Sequence, residues 1–335
     1  MSSVPPVKTD LASTDLRGLF VKSNAFAAFV HIALATFVAI EVSRRPWDVP
    51  FQIGYSNWTE TEENLRCGEK GNICTISLEQ KDAGVANIGI LVPMFSFISG
   101  FHHAVAAYIP DKYILSLIST HGNLYRAVDY AFSSGLMIAL VSVLFRAPSD
   151  PLFLVVVASL QFLTCFVGYA IEVMKKDRAE YGTASRVLFG VSILTYSLLW
   201  TSLLIPFGYA VSGAPAPVIV FITFMVAVFS SFPIIFLVSW KYTESSQLIR
   251  RELLYTAASF ISKVPLLILF YTGVIMRSGS VRFEGLDLNT DGDSLSDGEL
   301  YGLFGGAVLS GIVFGTIIIL RANKIITGGA CRCSN

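Results

Sequence analysis

Long apolar runs alternate with short polar connections along this chain, and the runs are too long and too uniformly hydrophobic for the amphipathic helices of a soluble domain. Eight can be marked off, at 24–40, 85–108, 124–145, 152–174, 187–209, 216–240, 253–276 and 303–320. Each is long enough to cross a hydrocarbon core of about 30 Å as an α-helix, the form that satisfies backbone polar groups within one segment. The pattern predicts an all-α polytopic membrane protein. The polar remainder divides into an N-terminal tail (1–23), a loop at 42–84, an acidic segment at 277–302 and a C-terminal tail (321–335). The N-terminal tail lacks the apolar core of a cleavable leader, so the first run reads as a retained helix.

Composition narrows the class further. Of 335 residues, 53% are hydrophobic and 14% charged, against about 25% charged in an ordinary soluble domain. Mean hydropathy is +0.63, which excludes a soluble enzyme and makes membrane lipid the surrounding partner. Net charge is zero, so no basic footprint points to nucleic acid.

Basic residues in short loops resist translocation, and their placement gives a topology. Lys8, Arg17 and Lys22 lie in or beside the N-tail; Lys175, Lys176, Arg178 and Arg186 follow the fourth run; Lys241, Arg250 and Arg251 follow the sixth; Arg321, Lys324 and Arg332 follow the eighth. The opposite connections hold Arg146, nothing basic between Ala210 and Pro217, and a first loop whose acids outnumber its bases. Both termini are therefore expected in the cytoplasm.

The loops assigned to the outside carry three candidate sites. Cys67 and Cys74 flank a turn-like Gly-Glu-Lys-Gly-Asn-Ile run, which reads as a small external disulfide or as two unpaired thiols. Asn57-Trp58-Thr59 is a glycosylation sequon. Asp287, Asn289, Asp291, Asp293, Asp297 and Glu299 alternate around Gly292 in the manner of a calcium loop. Position twelve of that register is Gly298 instead of a bidentate acid, and a solvated acidic loop is the alternative reading. Cys331 and Cys333 in the inner tail are candidates for acylation.

Ionisable residues at bilayer depth are costly, so each asks for a reason and a partner. Two sit deep within the runs: Asp129 in the third and Lys263 in the seventh. The two helices run in the same direction, and a lysine stem can lean toward the carboxylate, so an ion pair is expected. Arg126, Asp129 and Ser133 stack along one face of the third helix, as Ser259 and Lys263 do on the seventh. Burial disfavours the charged form of a lysine and frees its amine to form a Schiff base with an aldehyde.

A lone lysine in the seventh helix, paired with an Arg-x-x-Asp-aromatic run in the third, resembles the retinal-binding microbial rhodopsins. Arg126-Ala-Val-Asp129-Tyr130-Ala-Phe-Ser133-Ser134-Gly-Leu-Met137 is similar to their counterion region, and Ser259-Phe-Ile-Ser-Lys263 to their retinal-attachment region. Within that superfamily the chain most resembles a heliorhodopsin. The inside N-terminus, the long first external loop, and serine at the position four before the lysine favour that branch, as do His31 in the first helix and His103 in the second.

The resemblance implies a seven-helix rhodopsin-like bundle over 24–276, with an additional hydrophobic helix at 303–320. It implies a light-responsive photoreceptor and not an enzyme, with all-trans retinal as a Schiff base on Lys263 and Asp129 as counterion. Arg126, Ser133, Ser259, His31 and His103 would surround the Schiff base, Arg126 stabilising the counterion or gating its exposure. Tyr130, Met137, Phe162, Phe166, Tyr196, Trp200, Phe229 and Phe232 would line the polyene pocket. A homodimer is also implied by the resemblance alone.

Two departures stand out: aspartate replaces the glutamate usual at the counterion position, and an eighth run follows the family's seven. Proton pumps of the superfamily place a second carboxylate about three turns beyond the counterion, where this chain has Leu140. The expected action is sensory, or a passive light-gated proton or ion conductance. Two other readings are an intramembrane zinc hydrolase, for which no His-x-x-x-His pair occurs, and a chromophore-free transporter or channel coupled through Asp129 and Lys263.

Overall fold

The computed structural model describes residues 14–57, 77–145, 150–174, 182–210 and 216–275. The cysteines Cys67 and Cys74, the acidic segment with its candidate calcium ligands, the eighth apolar run and both tails lie outside these residues, as does the side chain of Asn57.

Eight α-helices and one strand pair make up the described part: α1 (Thr14–Arg44), β1 (Asp48–Asn57), β2 (Ser77–Asn87), α2 (Leu91–Tyr108), α3 (Pro110–Thr120), α4 (Leu124–Phe145), α5 (Pro151–Met174), α6 (Gly182–Ala210), α7 (Ala216–Val238) and α8 (Ser245–Leu269). Six helices (α1, α2, α4, α5, α6 and α8) are long and apolar enough to cross a membrane, and α7 contributes a shorter apolar stretch, Ile222–Val238. The protein is an all-α polytopic membrane protein.

Its core and its lipid face are distinguished by burial. In α4 and α8, 78% of the spanning window is buried inside the protein, whereas in α5 and α6 the share is 17%. The first two are central staves and the other two a peripheral wall. Large apolar side chains such as Phe29 on α1 and Phe101 on α2 point outward, as a hydrocarbon solvent allows. Polar side chains turn inward: Asn24, His31, Ser96, Ser99, His103, Asp129, Glu172, Glu252 and Lys263 are all buried.

Three features depart from the apolar pattern. The apolar pattern starts the second run at 85, but Val85 pairs with Pro50 in the antiparallel β1–β2 ribbon, and the helix follows only after a 3-10 turn at Ile88–Ile90. The Asn87 side chain explains the switch, accepting from the backbone N–H groups of Gly89 and Trp47 at 3.0 and 3.2 Å. This fastens the ribbon to the end of α1. Second, α3 was not anticipated. It is a short amphipathic helix with Pro110 at its start, and Tyr113, Ile114 and Leu117 form its buried face. Third, α1 begins ten residues before the expected start at Asn24. Leu16, Leu19 and Phe20 recur at helical spacing and pack with Tyr113, Ile114, Ile249 and Leu253.

Local rules set the ends of the central helices. The α3–α4 turn passes through His121, a non-glycine residue in the left-handed region (φ 57°), and Gly122. A Cβ on Gly122 would stand 2.8 Å from Val173 Cγ2 and 3.0 Å from the Tyr169 ring, so only glycine lets the turn lie against α5. A reciprocal capping box between Glu244 and Gln247 starts α8. Pro265 lies inside α8, where it removes one backbone donor, and the helix widens into a π turn at Phe270–Ile275.

Candidate functional site

Lys263 on α8 and Asp129 on α4 are brought together in the buried middle of the bundle. Lys263 Nζ lies 3.2 and 3.3 Å from the two carboxylate oxygens of Asp129. Ser99 on α2 joins them: its hydroxyl donates to Asp129 Oδ1 at 2.7 Å, and Lys263 Nζ donates to Ser99 Oγ. The Tyr130 ring centroid lies 5.0 Å from Nζ, within cation–π range. Both charged side chains are essentially excluded from solvent, where a paired charge holds and an unpaired one would not.

The α1–α2 contact supports this centre. A Cβ on Gly100 would come within 2.7 Å of Ile32 Cγ1 and 3.2 Å of His31 Cβ, so glycine permits the close crossing that places two histidines beside the pair. His31 Nδ1 lies 3.0 Å from Ser96 Oγ. The Ser96 hydroxyl donates its proton to the His31 carbonyl, so the serine oxygen accepts from His31 Nδ1–H. His103 Nδ1 lies 2.8 Å from Asn24 Oδ1, while Asn24 Nδ2 is committed to the Phe20 carbonyl. Both imidazoles are therefore assigned as Nδ1–H tautomers with a lone pair at Nε2. Neither Nε2 atom has a protein partner, and neither does Ser259 Oγ, although all three are buried. The imidazole rings stack 5.7 Å apart at an interplanar angle of 9°.

Beside Lys263 lies a cavity of about 290 Å³ between α4, α5, α6, α7 and α8. Of the expected polyene-pocket residues, Tyr130, Met137, Tyr196, Phe229 and Phe232 line it. Trp200 stands behind Tyr196 and Phe229, at 6.1 and 5.8 Å between ring centroids. Phe162 and Phe166 do not line it. On α5 the cavity face is carried by Gln161, Cys165, Gly168 and Glu172, at helical spacing. The residue after each of the first two is rotated about 100° away, and Phe162 is exposed, meeting Phe132 edge-on and Phe166 at a tilt.

Two expected members of the centre bond elsewhere, and a third makes no hydrogen bond through its side chain. Ser133 Oγ donates to the Asp129 backbone carbonyl at 2.6 Å, the back-bond usual for a serine inside a helix, and does not reach the carboxylate. Ser259 is buried, and its hydroxyl has no protein partner. Arg126 turns away from Asp129 toward the N-terminal end of α4, where two carboxylates claim it.

Those carboxylates belong to a second buried site that the apolar pattern did not reveal. Arg126 Nη2 lies 2.6 Å from Glu172 Oε1 on α5, and Arg126 Nη1 donates to Glu252 Oε1 on α8. Arg251 approaches Glu172 and Glu252 at 3.6 and 3.7 Å and donates to the His121 carbonyl at 2.8 Å. Asn123 donates to Glu252 at 2.6 Å and also to the Tyr113 hydroxyl. The Tyr255 ring lies 4.1 Å from the Arg126 guanidinium carbon. No side chain of the four charged residues is more than 8% exposed.

A family model for heliorhodopsins matches residues 21–275. No curated protein matches the chain. The matched segment contains every helix from α2 to α8 and most of α1, together with Asp129, Lys263 and the cavity between them. Family membership implies retinal as cofactor and a photoreceptor's role, and the site fits that group: a buried amine opens on a cavity whose lining includes Tyr130, Tyr196, Phe229 and Phe232, with a carboxylate in contact to balance charge at the nitrogen. The chain belongs to the heliorhodopsin family.

Proposed function

We propose that this chain is a light-responsive membrane photoreceptor that carries all-trans retinal on the Lys263 amine, with Asp129 as the counterion. The observation that carries this reading is the Lys263–Asp129 contact of 3.2 Å at the wall of a cavity that Tyr130, Tyr196, Phe229 and Phe232 also line. When bound, retinal supplies light absorption and photoisomerisation. The chain's own residues do the rest. Asp129 holds a positive charge at Lys263 Nζ that burial alone would expel. Ser99, bonded to both partners, fixes their separation. The Nε2 lone pairs of His31 and His103, buried without a protein partner, are free to accept a hydrogen bond.

The reading favours a sensor or a passive light-gated conductance over a pump. Leu140, fully buried on α4, stands where a pump of the wider superfamily would need a proton-donating carboxylate. Basic residues in alternate connections support an inside N-terminus, which puts the Arg126 site at the cytoplasmic end of the bundle.

The test is a visible spectrum of the protein expressed with all-trans retinal, followed by illumination in hydroxylamine. The expected result is a visible band that bleaches and that is missing from Lys263→Ala. A colourless wild-type protein that still transports ions would instead establish the chromophore-free transporter coupled through Asp129 and Lys263.

A further inference from the structure

We infer that Glu172 is a positioning residue that holds Arg126 off Asp129 and so sets the net charge acting on the Lys263 end of the cofactor site. The inference rests on the reading of Lys263 and Asp129 given above and extends it to a residue on a third helix.

The argument begins with helical geometry. Arg126 and Asp129 are one turn apart on the same face of α4, the spacing at which an arginine and a carboxylate pair directly. Side chains on a helix lean toward its N-terminus, so Asp129 leans toward Arg126. The pairing nevertheless does not form: Asp129 is bonded to Ser99 and Lys263, and the Arg126 guanidinium is divided between Glu172 and Glu252. Glu172 takes Nη2 with both of its oxygens, at 2.6 and 2.5 Å. It is the only charged partner of Arg126 contributed by α5 among the described residues.

Charge counting shows what this arrangement does. Arg126 and Arg251 balance Glu172 and Glu252, so the inner site is neutral as seen from Asp129. The groups facing Arg126 are Glu172 from α5, Glu252, Arg251 and Tyr255 from α8, and Tyr113 from α3 through Asn123. Those facing Asp129 are Lys263 from α8, Ser99, His102 and His103 from α2, and His31 from α1. Neutralising Glu172 leaves one uncompensated positive charge within a turn of the counterion, in a medium that screens it weakly. It also frees the Nη2 edge of Arg126 to swing toward Asp129. Either effect weakens the counterion's hold on charge at Nζ.

Three variants test this in the retinal-loaded protein. Glu172→Gln is expected to move the visible band to longer wavelength, because excitation shifts positive charge away from the nitrogen and a nearby cation disfavours the ground state more. Arg126→Gln/Glu172→Gln removes both charges and is expected to return the band to the wild-type position. If Glu172→Gln fails to accumulate, Glu172→Asp, which retracts the carboxylate by one methylene, is expected to shift the band in the same direction and by less. In the retinal-free protein, the infrared carboxylate stretch assigned to Asp129 by its loss in Asp129→Asn is expected to move in Glu172→Gln and to return in the double variant. An unshifted band in Glu172→Gln, or a shift that the double variant does not reverse, overturns the inference. A merely structural role for Glu172 would make the double variant worse, not restored. A colourless wild-type protein would overturn the retinal reading itself, and coloured wild type with an insensitive Glu172 overturns only this step.

Discussion

The bundle holds two buried charge sites on the same pair of helices, and they are built on opposite principles. At the N-terminal end of α4, Arg126, Arg251, Glu172 and Glu252 are cross-linked to one another, to Asn123, and to the His121 carbonyl, and Arg251 Nε is the one buried polar atom of these four side chains without a hydrogen bond. About three turns along α8, the Lys263–Asp129 pair has one serine between its members and three buried polar atoms around it, His31 Nε2, His103 Nε2 and Ser259 Oγ, with no partner. A fully satisfied polar network rigidifies its surroundings, whereas an unsatisfied one retains capacity to accept a proton or water. The inner site is built to stay as it is. The middle site is built to receive something.

That contrast is broken most completely by removing the amine. Lys263→Ala should abolish the visible band while the protein still folds, as read by its helical circular dichroism; an equally coloured variant would end the assignment. Asp129→Asn is expected to keep the colour but to lower the pH at which the band is lost by about 1–3 units. The sign follows from charge: without the anion, a positive charge at Nζ is harder to hold, so its proton leaves at lower pH. A spectrophotometric titration of the two proteins measures this.

The inner site should answer in stability. Arg126→Ala strands two buried carboxylates, a change that costs about 3–5 kcal/mol where one partner of a buried pair is removed, and thermal melting in detergent should register it. Gly100→Ala is smaller: the added methyl meets Ile32 and His31, and overpacking of that kind costs about 1–3 kcal/mol. Asp111→Asn should be nearly silent, because the Arg17–Asp111 pair is exposed at 39% and 65% and screened by water. The hydrogen bond and charge of Arg17 hold the Asp111 carboxyl below the usual carboxylate range. Its small contribution is therefore present above that range and lost as pH falls through the lowered value. Melting curves of wild type and Asp111→Asn should converge at acid pH.

The sequence revealed the two sites unequally, for a physical reason. Asp129 and Lys263 stand out because an ionisable residue in the middle of an apolar run has no ordinary explanation. Glu172 and Glu252 fall at the ends of their runs, where charges are commonplace, and nothing local marks them as buried. Their shared role depends on α4, α5 and α8 converging, which periodicity does not encode. Arg126 was expected to serve Asp129 because of its spacing, and only the third helix shows the stronger claim on it. The spacing of Gln161, Cys165, Gly168 and Glu172 along α5 did carry a usable signal, a polar and small-residue stripe that would have turned Phe162 and Phe166 outward. The α3 helix was hidden by its short length, and the end of β2 by the apolar Val85 that continues into α2.

Pro265 gives α8 an unequal mechanical character on the two sides of Lys263. Toward its N-terminus, the helix is clamped through Arg251 and Glu252 to α4, α5 and the His121 turn. Toward its C-terminus, Pro265 follows two residues on, its missing N–H removing the intrahelical donor to the Ile261 carbonyl, and the coil loosens into the π turn at Phe270–Ile275. A torque applied at Lys263 therefore meets a stiff support on one side and a compliant one on the other, and the displacement it causes runs toward the base of the β-ribbon, where Trp47 packs on Phe270.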